Sequence, residues 1–118
     1  MTKILVVDDT QFMRQRIGKL LRQHGYETVE AQDGEEAVQV YQRQKPDAVL
    51  MDITMPKKDG LTALEEIRQI DPNANVIMLT ALGQQATALQ AIQAGAIDFL
   101  VKPYTPEQVI NALERVLD

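Results

Sequence analysis

Five polar residues stand at the downstream ends of apolar runs, and their types fit one kind of chemistry. Asp8 and Asp9 follow Ile4-Leu5-Val6-Val7, Asp52 closes Ala48-Val49-Leu50-Met51, and Thr80 closes Val76-Ile77-Met78-Leu79. Lys102 follows Ile97-Asp98-Phe99-Leu100-Val101. Short uninterrupted apolar runs read as strands buried on both faces, the habit of parallel sheets. Parallel strands all point the same way, so these residues share the carboxyl rim, where open α/β sheets keep their ligand sites. Clustered carboxylates repel one another, and a hard divalent cation with oxygen ligands relieves that; Mg²⁺ suits a site with few protein ligands and several waters. A carboxylate is also a nucleophile toward phosphorus, which makes Asp52 a candidate phosphoryl acceptor. Lys102 would neutralise charge on the transferring group and Thr80 would donate to one of its oxygens. Singly, each residue has a plainer reading as a turn, cap or solvated side chain. Their conjunction on one rim favours the phosphoryl chemistry.

The elements that must place these residues alternate five times. A helix is expected from about Gln11 to His24, with Thr10 as N-cap, Gly25 at its stop, and Phe12, Met13, Ile17, Leu20 and Leu21 as its apolar positions. Tyr26–Ala31 alternates polar and apolar residues, the mark of a strand at a sheet edge. Gly34 opens a helix through roughly Gln42, with Ala37, Val38 and Tyr41 inward. The Asp47–Asp52 strand leads into a Met55–Gly60 loop, where Pro56 stops regular structure, and then a helix from Leu61 to Ile70. A helix from Gln84 to Ala94, capped by Gly95, separates the last two strands. The final helix enters through Thr105 as N-cap and Pro106 at its first position. Such alternation specifies a single α/β domain over residues 1–118, a doubly wound parallel sheet of five strands with helices on both faces.

Composition narrows the function. At 118 residues, 45% apolar and 25% charged, the chain is an ordinary globular domain. It has no cysteine, which removes disulfide and thiolate–metal chemistry. A formal charge of −5 with no basic stretch argues against nucleic acid as a partner. No apolar run is long enough to span a membrane, and no signal-peptide layout is present, so a cytoplasmic protein is expected.

The same segments resemble the receiver domain of two-component response regulators from end to end. The resemblance is carried by Ile4-Leu5-Val6-Val7-Asp8-Asp9, Met51-Asp52-Ile53-Thr54-Met55-Pro56 with Asp59-Gly60, Leu79-Thr80-Ala81, and Gly95 through Tyr104 with Lys102-Pro103. It is greatest to single-domain chemotaxis regulators, and the chain's end after the fifth helix fits a stand-alone regulator. It implies a flavodoxin-like (βα)5 fold with strand order 2-1-3-4-5. It also implies that Asp52 takes phosphate from a sensor histidine kinase or a phosphotransfer protein. Asp9, Asp52 and the backbone carbonyl of Thr54 would ligate Mg²⁺, with Asp8 acting mainly through water. Thr80 and Lys102 would contact the phosphoryl group, and Phe99 would be an aromatic switch that follows Thr80; by itself Phe99 reads as plain core. The Lys102–Pro103 bond is expected to be cis. The face made by the fourth helix, last strand and fifth helix would bind a downstream protein, and the chain would catalyse only its own phosphorylation and dephosphorylation.

Some readings stay open. A receiver that signals by contact alone, without phosphorylation, remains an alternative, although such proteins tend to lose one of the acids, the threonine or the lysine. A haloacid-dehalogenase-type phosphatase would want a second acid where Thr54 stands, and a flavin carrier would want a phosphate-cradling loop where Asp8-Asp9 stand. Thr54 also replaces the long polar residue that often tunes phosphate lifetime in the family. The Gln84–Ala94 helix carries no charge, leaving Arg115 as the candidate cation on the output face. If Ala88, Ala91 and Ile92 are exposed beside Phe99 and Tyr104, that face would serve a docked partner or a homodimer, so either a monomer or a phosphorylation-dependent dimer is expected; an Ala-rich helix equally packs close against a sheet. His24 reads as a solvated or capping residue.

Overall fold

A computed structural model describes residues 1–55 and 57–117. Pro56, expected to end the third strand's continuation, lies outside the described residues. The strands are β1 (Lys3–Val7), β2 (Glu27–Ala31), β3 (Ala48–Asp52), β4 (Val76–Thr80) and β5 (Asp98–Val101). The helices are α1 (Gln11–Gln23), α2 (Gly34–Gln44), α3 (Gly60–Ile70), α4 (Gln85–Gln93) and α5 (Pro106–Leu117). All neighbouring strands pair parallel, in the order β2-β1-β3-β4-β5. The alternating strand, β2, stands at an edge as its pattern requires.

Side chains of the central strands alternate between two cores. Leu5, Val7, Val49, Met51, Val76 and Met78 pack under α2, α3 and α4, with Leu64, Ile67 and Tyr41. Ile4, Val6, Leu50, Ile77 and Leu79 pack under α1 and α5, with Ile17, Leu21, Val109 and Leu113. Every residue of β3 and β4 is buried, which is why these runs carry no alternation.

Capping explains most helix starts. Asp33 and Asp59 accept the N–H groups of Glu36 and Thr62 at 2.8 Å each. Thr105 and Gln108 form a reciprocal capping box, Gln108 N–H to Thr105 Oγ1 at 3.2 Å and Thr105 N–H to Gln108 Oε1 at 2.8 Å. Three expectations need correction. Thr10 occupies the N-cap position of α1 without a side-chain cap, because Asp8 organises that loop instead, accepting Thr10 N–H at 2.8 Å. Phe12 is 66% exposed, since it lies about 140° around the helix from Ile17. Ala88 and Ala91 are fully buried, three residues apart on the sheet-facing side of α4, and it is Leu89 and Ile92 that turn outward. His24 follows the last residue of α1 with its ring Nδ1 3.0 Å from the Leu20 carbonyl, in keeping with a capping residue.

One close approach fixes the acceptor strand. A Cβ added to Gly60 would lie 2.2 Å from the Asp52 carbonyl oxygen and 2.8 Å from Ile53 Cα. Gly60 N–H also donates to the Ile53 carbonyl at 2.8 Å. Both of these atoms are backbone and cannot swing aside as the Met78 side-chain tip, 3.0 Å away, could. Gly60→Ala is therefore expected to destabilise the fold by about 1–3 kcal/mol, as overpacking does. A urea unfolding midpoint equal to that of the wild type would show that the loop relaxes freely.

Candidate functional site

Register brings the acids together. Val7 pairs with Met51, so Asp8 and Asp52, one residue further along each strand, emerge side by side. Asp52 is opposite Leu79, and Thr80 is opposite Val101, which places Lys102 one step beyond the β5 end of the ladder. Side chains alternate along a strand. Asp8, Asp52 and Lys102 therefore all lie on the α1–α5 side of the sheet, while Thr80 points with Phe99 toward the α2–α4 side.

The geometry follows. Lys102 Nζ donates to Asp52 Oδ2 at 2.9 Å and lies 4.0 Å from Asp8 Oδ2. Thr54 N–H donates to Asp52 Oδ1 at 3.2 Å, so the backbone two residues on closes over the carboxylate. Asp8 and Asp52 are buried, whereas Asp9 is exposed at the mouth. One oxygen from each of Asp8, Asp9 and Asp52 lies within 4.8 Å of the others. Asp8 Oδ2 is buried and accepts no hydrogen bond among the described residues. An orphaned carboxylate oxygen between two further carboxylates is the hard oxygen donor set a divalent cation takes. The residues fit such an ion.

The remaining expected residues occupy the same rim. Thr80 is buried, its Oγ1 donating to the Leu100 carbonyl at 3.4 Å, toward β5. Phe99 is half-buried against the core beneath α2, α3 and α4. The Lys102–Pro103 peptide is cis. Arg115 is not a free cation: its Nη2 pairs with Asp98 Oδ2 of β5 at 3.0 Å, because α5 runs back over that strand.

Three contributors are not evident in the sequence. Arg14 donates from Nη1 to the Asp8 carbonyl at 2.6 Å and from Nε to Glu30 at 3.0 Å, pinning the β1 end to α1 and β2. The buried Tyr104 hydroxyl titrates high, pushed up to about 12 by burial and then by the nearby Asp8 and Asp52 charges. Gln84 bridges two loops, as described below. For Arg14 and Gln84 no sequence signal exists, because one long polar side chain reaches many partners; Tyr104 is signalled only by its adjacency to Lys102-Pro103.

Against this geometry, comparison with known proteins is decisive. A family model described as the response regulator receiver domain matches residues 4–114. The chain belongs to that family. It is 50% identical over 117 residues to the chemotaxis protein CheY of Bacillus subtilis (strain 168), covering 98% of each chain. Among solved structures, it superposes with a TM-score of 0.95 on a response regulator receiver domain protein from Clostridium thermocellum. That relative is 34% identical, with 99% of this chain and 94% of the other covered. A chain of the CheX–CheY–BeF3–Mg²⁺ complex from Borrelia burgdorferi matches with a TM-score of 0.93 and 37% identity, over 99% and 90% of the two chains. Among the described residues, no helix of this receiver domain is long and apolar enough to cross a membrane.

The acidic cluster has a signature of its own. Burial raises the Asp8 carboxyl above its ordinary value of 3.8, the Thr10 N–H lowers it, and the Asp52 charge raises it again. A carboxyl raised in the folded state favours folding while protonated and costs stability once ionised, so the penalty appears as pH rises through its folded value. Asp8→Asn, which cannot ionise, is expected to unfold at a higher urea concentration than the wild type at pH 7 in metal-free buffer. The advantage should shrink on acidification and vanish below pH 3.8. Coincident midpoints at pH 7 would remove burial as the cause.

Proposed function

We propose that this receiver domain is a phosphorylation-dependent signalling switch of the cytoplasm. It accepts a phosphoryl group on Asp52 from a sensor histidine kinase or a phosphotransfer protein, and it passes the change to a downstream protein at the α4–β5–α5 face. The observation that carries this reading is the Lys102 ammonium 2.9 Å from Asp52 Oδ2, beside a three-carboxylate cluster.

In this reading Asp9, Asp52 and the Thr54 carbonyl would hold Mg²⁺, with Asp8 acting through water, and the ion would supply neutralisation of the phosphoryl charge. The chain's own residues do the rest. An Asp52 carboxylate oxygen forms its bond to phosphorus as the donor's P–N bond breaks, and the electron pair leaves with the donor imidazole. Lys102 moves its ammonium a short way from the carboxylate to a phosphoryl oxygen. Thr80 exchanges its long bond to the Leu100 carbonyl for a stronger one to the same group. Phe99, on the same face as Thr80, then turns inward, and the population shifts toward the form whose outer surface fits the partner. The chain catalyses its own phosphorylation and dephosphorylation and no other reaction. Its net charge of −5 directs it to protein partners, not nucleic acid.

Incubation with acetyl phosphate, read as intact mass with and without Mg²⁺, tests this directly. One phosphoryl group is expected on the wild type with Mg²⁺ and none on Asp52→Asn. Lys102→Ala should slow incorporation by about a hundredfold, the usual effect of removing one charge-stabilising donor. Stoichiometric label on Asp52→Asn would defeat the assignment, and an unlabelled wild type would favour a receiver that acts by contact alone.

A further inference from the structure

Gln84 lies between the two loops that flank the acceptor, and both ends of its carboxamide are engaged. Its Oε1 accepts the Ala81 N–H at 2.9 Å, and its Nε2 donates to Thr54 Oγ1 at 2.7 Å. Ala81 follows Thr80 directly, and Thr54 lies two residues after Asp52. One side chain thus ties the loop after β4 to the loop after β3.

The point of attachment matters. The Thr80 carbonyl and the Ala81 N–H belong to one peptide unit. The carbonyl accepts Lys102 N–H at 2.7 Å, and the N–H is held by Gln84. That plane is therefore clamped from β5 on one side and from Gln84 on the other. The turn beyond it closes through Gln84 N–H on the Ala81 carbonyl at 3.2 Å, with Gly83 at φ +90°. Leu82, at its tip, is 73% exposed, so apolar packing contributes little to holding this turn. The polar bridge to Thr54 takes that role.

We propose that Gln84 is a positioning residue, a latch that holds the Thr80–Ala81 peptide in its resting orientation and sets how readily Thr80 turns toward Asp52. The proposal rests on Asp52 being the phosphoryl acceptor. While the latch is closed, Thr80 faces the Leu100 carbonyl. Reorienting its peptide toward the acceptor requires Gln84 Oε1 to release Ala81. The Thr54 hydroxyl steadies the carboxamide, so the loop carrying the acceptor reports to the loop carrying Thr80 through a contact that involves neither reacting group.

Two readouts test the latch. In the unphosphorylated ¹⁵N-labelled chain, Gln84→Ala should move the Ala81 amide resonance, while Gln84→Glu should keep it near the wild-type position. Glutamate retains an oxygen for Ala81 and accepts from a rotated Thr54 hydroxyl. In acetyl phosphate with Mg²⁺, Gln84→Ala should take up phosphate about two- to tenfold faster than the wild type, the range one or two net hydrogen bonds allow. Thr54→Val should accelerate uptake in the same direction, and the double variant should be no faster than Gln84→Ala, because both act on one bridge. Unchanged or slower uptake in both single variants, with the wild type fully labelled, overturns the latch and leaves the acceptor reading standing. No label on the wild type overturns both. Additive acceleration in the double variant separates Thr54 from Gln84 and also overturns the bridge.

Discussion

Three carboxylates face one ammonium at the carboxyl rim, and the rest of the structure is arranged around keeping them there. Asp8 and Asp52 emerge from adjacent strands in register, so their charges cannot separate without breaking the β1–β3 ladder. Both are buried, which weakens the solvation that would otherwise moderate their repulsion. Backbone donors offset part of this: Thr10 N–H on Asp8 and Thr54 N–H on Asp52. Lys102 offsets another part. The orphaned Asp8 Oδ2 marks what is left over, a carboxylate oxygen whose surroundings fit a cation.

Holding such a cluster requires rigidity close by. The five residues of β3 and the five of β4 are wholly buried, and Gly60 lets the α3 start press directly against the Asp52 carbonyl. Arg14 anchors the Asp8 carbonyl from α1. The contrast is α4, which buries only Ala88 and Ala91, while α3 buries Ala63, Leu64 and Ile67, and α5 buries four residues. Each large aliphatic side chain that is fully buried contributes about 1.5–3 kcal/mol, and an alanine much less. The helix next to the Thr80 loop is thus the one held least firmly, and local stability falls where buried apolar contact is least. In the proposed switch, a disturbance at the rim would find its softest outlet there.

Most of this was legible in the sequence for a physical reason. Strands buried on both faces leave continuous apolar runs, and parallel connection forces their ends onto one rim, so Asp8, Asp9, Asp52, Thr80 and Lys102 converge without any knowledge of angles. What periodicity could not resolve was which way a small residue faces. Alanine satisfies both a solvent-exposed and a close-packed position, so Ala88 and Ala91 admitted both readings, and they are core. Phe12 failed in the opposite direction: its apolar side chain admitted it to the inward set, but it lies about 140° around α1 from the buried Ile17 and is 66% exposed. Arg115 read as the candidate cation of the output face, and its pairing with Asp98, seventeen residues away in sequence, left no mark there. Long polar side chains such as Arg14 and Gln84 choose partners only once the loops are placed, and hydrogen bonds of this kind leave no period.

The alternation of strand faces also divides the site between the two sides of the sheet. The acids and Lys102 lie on the α1–α5 side of the sheet, but Thr80 and Phe99 lie on the α2–α4 side. The proposed switch would need charge gathered on one side to be sensed by a hydroxyl that belongs to the other. A residue at the strand terminus, in the last pair of the β4–β5 ladder, is the one placed to reach around the edge in this way. Thr80 is that residue, and Met78, two positions earlier on the same face, pairs with Phe99. The β4–β5 pair thus joins a buried hydroxyl at the acidic rim to a half-buried aromatic bordering α4. In the proposed switch, motion along this pair would require no rearrangement of β1 or β3, so the cluster would stay assembled while the face beside it changed.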